Sequence, residues 1–76
     1  MWIINQNCSI IANSDTMQII ATKDNSLYLF RDKEVHELLG QYSSKDKADK
    51  VFSQLITAKG LNNQIFCMPK DEEVSV

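Results

Sequence analysis

LLGQYSSKDKADKVFSQLITAKGL, residues 38–61, carries helical periodicity together with a start signal and a stop signal. Ser43 is a favourable N-cap, and Asp46 three residues on completes a capping-box pattern that satisfies the free N–H groups of a helix start. Asp46 and Asp49 place negative charge in the opening turns, where the helix dipole favours it. Ala48, Val51, Phe52 and Leu55, with Ile56 and Ala58 at the margin, recur at helical spacing and form one apolar stripe. Lys45, Lys47, Asp49, Lys50, Ser53, Gln54 and Thr57 take the opposite surface. Gly60 suits the left-handed position beyond a helix end, with Leu61 folding back on the last turn. The expected helix covers residues 44–59.

On either side of it the chain reads as strands. Trp2 to Ile4, Ser9 to Ala12, Thr16 to Thr22, Leu27 to Phe30 and Val35 to Tyr42 are short runs rich in β-favouring residues. Asn5-Gln6-Asn7, Asn13-Ser14-Asp15, Lys23 to Ser26 and Arg31 to Glu34 separate them as turns. In the third run Met17, Ile19 and Ala21 share one face; in the fifth, Val35, Glu37, Leu39 and Gln41 do. Gln64 to Met68 forms a last strand after the Asn62-Asn63 turn, and Pro69 ends it because it cannot donate to a ladder. The expected fold class is α+β. An antiparallel meander of five or six short strands carries one helix on one face, in a single domain over residues 1–69. Residues 70–76 are expected to be an exposed, frayed acidic tail.

The strands put apolar side chains on both faces: Ile3-Ile4, Ile10-Ile11, Ile19-Ile20, Leu27 to Phe30 and Leu38-Leu39. A sheet with one solvated face alternates cleanly, whereas a sheet covered twice does not. One helix of sixteen residues spans roughly 24 Å and shields one face. Either the sheet curls on itself as a half-barrel, or a second copy covers it in a homodimer or higher homo-oligomer. A chain of 76 residues buries only about 60% of its unfolded surface, which also favours association.

Composition narrows the function classes. Net charge is −2 with a pI near 5.1, against the basic footprint of nucleic-acid or anionic-lipid binding. The two cysteines, Cys8 and Cys67, are too few for a disulfide framework and read as reduced thiols. No basic leader and no long apolar run is present, so a cytoplasmic protein without a membrane span is expected.

Chemistry-bearing patterns are sparse. His36 is the sole histidine and reads as a surface residue rather than a base. Zinc would need Cys8, Cys67 and His36 to converge without any paired-cysteine motif. Two glycines cannot make a phosphate-binding loop, and no nucleophile motif occurs. No catalytic, cofactor-binding or metal-ligating residue, and no cofactor, is therefore assigned. Tyr28, Phe30 and Tyr42, with Arg31, Lys33 and Lys45 nearby, allow the alternative of a weak nucleic-acid binder whose bases stack on the sheet. Packing is the favoured use of these rings.

Met1-Trp2-Ile3, Leu39-Gly40-Gln41-Tyr42-Ser43-Ser44, Ala48-x-x-Val51-x-x-x-Leu55 and Phe66-Cys67-Met68-Pro69 occur in that order. The chain thereby resembles a group of small uncharacterised proteins of Gram-positive bacteria and their phages. Their pattern is an opening M-W-I, several strands, L-G-x-Y, a helix and a closing F-x-M-P. An acidic residue usually follows Y-x-S in that group; Lys45-Asp46 stands there in this chain. No activity is attached to the group, so the resemblance implies a phage or prophage context and no site residues. The expected function is a non-enzymatic accessory module that binds itself or an unidentified protein partner.

Overall fold

Asn, Asp and Lys residues in left-handed backbone set most of the turns. Asn25, Asp32, Lys33 and Asn62 have φ between 54° and 66°, and Cys8 has φ 59° in the first loop. Asp32 and Lys33 together form a two-residue hairpin of the twist that antiparallel strands prefer. The computed structural model describes residues 1–15 and 17–76; Thr16, expected to open the third strand, lies outside the described residues. The elements are β1 (Trp2–Ile4), β2 (Ile11–Asn13), β3 (Gln18–Ala21), β4 (Ser26–Arg31), β5 (Glu34–Gln41), α1 (Lys45–Gly60), β6 (Ile65–Cys67) and a 3-10 turn (Asp71–Glu73).

The protein is α+β, with α1 packed on the sheet and a final strand after it. β3-β4-β5 is an antiparallel meander, whereas the remaining strands form a second sheet in the order β2-β1-β6. The β1–β6 pair is parallel, with Ile3 opposite Phe66, so the last strand lies beside the first. No local turn signal encodes a contact between segments so distant in sequence. Gln6 ties the sheets together: its N–H donates to the Leu39 carbonyl at 2.7 Å, and its side chain bonds both backbone groups of Gln41.

The core lies between the sheets and the helix. Ile3 comes from β1, Leu27 and Leu29 from β4, Leu39 from β5, and Ala48, Val51 and Leu55 from α1. Met17 and Ile19 pack against it, as the alternation of the third run requires. Val51 and Leu55, at the centre of the apolar stripe, are fully buried.

Both helix ends differ from the sequence expectation. Ser44, not Ser43, is the N-cap, and its Oγ accepts from the Lys47 N–H at 3.2 Å. Ser43 instead donates its N–H to Asp71 Oδ1 at 2.8 Å, so the tail carboxylate displaces the expected capping box. At the other end the helix runs through Gly60 and stops at Leu61. Asn62, at φ 62°, takes the left-handed position. The Asn62 N–H bonds the Lys59 carbonyl at 3.1 Å and the Asn63 N–H bonds Ala58 at 3.0 Å, which is the Schellman pattern. Asn tolerates the left-handed region, so glycine is not needed there. Leu61 does not fold back; it is 71% exposed.

Gly60 therefore contributes only its flexibility. A Cβ at Gly60 would meet nothing within 4 Å. Gly60→Ala is expected to stabilise the fold by about 0.5–1 kcal/mol, chiefly by restricting the unfolded chain. Thermal melting should show this as a rise of about 2–8 °C.

The acidic tail also departs from expectation. Residues 71–73 form the 3-10 turn, and Val74 is only 8% exposed within the hydrophobic core. Lys47 Nζ reaches the Asp71 carbonyl at 3.0 Å and its carboxylate at 3.4 Å, and Lys50 Nζ donates to the Ser75 carbonyl. The valine directly after the acidic cluster gives the segment an apolar anchor that its charge conceals. Val76 stays exposed.

Candidate functional site

The surface with the least explained chemistry is the outer face of β3-β4-β5. Leu27 and Leu29 point inward, so Tyr28 and Phe30 point out. Ile20 pairs with Tyr28 on β3, placing it on the same outer face. On β5, Leu38 pairs with Tyr28 and Val35 pairs with Phe30. Five apolar side chains thus share a face that α1 does not cover.

Strict alternation along β5 would have separated Val35 from Leu38. Register shifts pass over Leu39 and His36, and each extra residue reverses the alternation. The face expected to hold Val35, Glu37, Leu39 and Gln41 is therefore broken up. Val35 and Leu38 face out at 58% and 43% exposure, while Leu39 is buried. A shallow groove of about 290 Å³, lined by Ile20, Thr22, Asp24, Tyr28, Phe30 and Val35, runs along this face.

The β2-β1-β6 sheet has a smaller outer face of the same character. Trp2 pairs with Ile65, and Ile4 with Ile11 and Cys67. Trp2, Ile11 and Ile65 are each about half exposed, at 47%, 53% and 54%.

The other residues singled out in the sequence are dispersed. His36 is exposed at one of the β5 bulges. Cys8, in the loop after β1, and Cys67, on β6, are both free and exposed. Among the described residues no group of three His, Cys, Asp or Glu side chains is placed to hold a metal ion.

The three aromatic candidates for base stacking are not brought together. Tyr28 and Phe30 are outward neighbours, but Tyr42 is 4% exposed in the core and donates its hydroxyl to the Pro69 carbonyl at 2.8 Å. Burial, reinforced by Asp71 and Glu73, holds the Tyr42 phenol well above its ordinary pKa. Gly40 lies under this ring: a Cβ there would sit 3.1 Å from the hydroxyl oxygen and 3.3 Å from Gln6 Cβ. The glycine of L-G-x-Y accordingly makes room for its own tyrosine. Three of the four lysines of the helix are engaged: Lys45 with Asp49 at 2.7 Å, Lys47 with Asp71, and Lys50 with Ser75.

Asp71 carries the titratable part of the tail contact. The Ser43 N–H bond, then Lys47, hold its carboxyl below the usual value of 3.8 against a partial opposing effect of desolvation. A depressed folded-state pKa stabilises the folded form above the unfolded value and loses that contribution as pH falls through the folded one. The tail is therefore expected to loosen on acidification below about pH 4 and to be insensitive between pH 6 and 8. Amide exchange at Ser43 and Val74 across that range would show it, with Asp71→Asn abolishing the pH dependence.

Compared with family models, curated proteins and solved structures, the chain gives no match.

Proposed function

We propose that this chain is a small non-enzymatic protein-interaction module that binds a protein partner through the outer face of β3-β4-β5. The observation that carries this reading is the grouping of Ile20, Tyr28, Phe30, Val35 and Leu38 on a face that the helix leaves open. Contiguous apolar surface of this kind is costly to leave in water and usually marks a contact site. Tyr and Phe supply large contact area at low entropic cost, which suits a central anchor. The resemblance to small proteins of Gram-positive bacteria and their phages supports a cytoplasmic accessory protein of phage or prophage origin. No described helix is long and apolar enough to cross a membrane.

The test compares the wild-type chain with Val35→Glu/Leu38→Lys as baits in extract from the native host. Both residues are exposed, so the double variant should fold. Specific capture by the wild-type chain and at least tenfold less by the variant supports the module. Equal capture by both removes the face from consideration. Gel shifts with single- and double-stranded probes at low salt examine the nucleic-acid alternative, in which Tyr28 and Phe30 would stack on bases.

A further inference from the structure

We propose that two copies of this chain pair through the open edge of β6, antiparallel across a two-fold axis, to make one continuous six-stranded sheet. This goes beyond the outer-face reading and does not depend on it. In the β1–β6 ladder the Trp2 N–H bonds the Gln64 carbonyl at 2.8 Å, and the Met68 N–H bonds the Ile4 carbonyl at 2.9 Å. Parallel bonding alternates along a strand, so Gln64, Phe66 and Met68 turn their backbone groups toward β1. Ile65 and Cys67 turn theirs the other way. In the order β2-β1-β6 no described strand lies on that side.

Edges left open in monomers are usually blunted by charge or distortion. β5 is bulged twice and carries Glu34 and Glu37. By contrast, no charged side chain occurs from Gly60 through Pro69. Beside the β6 edge lies a groove of about 450 Å³, lined on the strand side by Phe66 and on the helix side by Ala58 and Leu61. The facing helix rim carries Ser53, Gln54 and Thr57 and one cation, Lys50, whose Nζ donates to the Ser75 carbonyl.

The occupant is a second copy because this edge is self-complementary. An antiparallel register centred on Phe66 sets Ile65 against Cys67 of the partner subunit, twice. Both pairs exchange N–H and carbonyl bonds, and all four free groups on each edge are used. Phe66 then faces its equivalent across the close, non-bonded pair, where aromatic contacts are favourable. Sliding the register toward Pro69 loses a bond, because proline has no N–H. Three-residue edges and a shallow groove make a small interface, so the dimer is expected to dissociate readily on dilution.

Light scattering from about 1 to 300 µM should show the mass rise from 8.7 kDa toward twice that value. Cys67→Pro removes a free edge N–H and leaves the β1 ladder intact, so it should remain at the chain mass. Ile65→Lys, which guards the edge with charge, should do the same and covers the case in which the proline variant fails to fold. Val35→Glu/Leu38→Lys should leave the dimer unchanged, which separates this proposal from the outer-face reading. Opposed residues in the bonded pair lie about 5.5 Å apart at Cα, within disulfide reach. Cys8→Ser/Ile65→Cys treated with oxidised glutathione should therefore link the introduced thiol to Cys67 of the partner subunit and double the mass under denaturing conditions. A wild-type chain that stays monomeric to 300 µM would overturn the proposal, as would a dimer untouched by either edge variant.

Discussion

Leu29→Ala is expected to destabilise the protein by about 2–5 kcal/mol, whereas Leu38→Ala on the same sheet should change stability by less than about 1 kcal/mol. Leu29 is fully buried against the helix, while Leu38 is 43% exposed on the outer face. Removing three buried carbons leaves a cavity that the neighbouring Val51 and Leu55 cannot fill without strain. Total stability for a chain this short is only about 4–11 kcal/mol, so the Leu29 variant should be partly unfolded at room temperature or close to it. Urea titrations of the two variants with a common slope would measure the contrast. Similar losses at both positions would mean that the outer face is packed after all.

Removal of residues 71–76 is expected to cost about 2–4 kcal/mol. Val74 contributes the larger share through burial, about 1.5–3 kcal/mol when fully sequestered. The hydrogen bond from Ser43 to Asp71 and the Lys47 contacts add a smaller, solvent-screened share. Val74→Ala with an intact tail should show a smaller loss, which separates the anchor from the polar contacts. Denaturant midpoints that do not move on truncation would restore the frayed tail that the acidic composition suggests.

The fold was legible where physics is local. The apolar stripe Ala48, Val51, Leu55 marks the buried side of α1. The turns at residues 23–26 and 31–34 mark the β3-β4-β5 meander. Helix ends were read less well, because Ser43 and Ser44 are equivalent caps until Asp71 claims one of them. Gly60 and Asn62 compete similarly for the left-handed position. The β1–β6 pairing and the docking of Val74 depend on contacts far apart in sequence, for which periodicity carries no signal.

The candidate surface was legible in outline and not in membership. Double-faced apolar strands indicate that some face is left for a partner. Which side chains share it depends on the register shifts at His36 and Leu39, which strict alternation cannot anticipate. Tyr42 shows the converse. Packing is the use the sequence favours for its ring, and the end of β5 directs it inward, where Gly40 makes space and Pro69 supplies an acceptor.

Site-specific photocrosslinking in the native host tests most directly whether the outer face of β3-β4-β5 is where this protein makes contact. A photoreactive side chain is placed at Leu38 in one chain and at Asp46, exposed in the first turn of α1, in another. The proposed module predicts defined protein adducts from position 38 that are absent or at least tenfold weaker from position 46. No protein adduct from position 38, or equal labelling from both positions, would contradict it.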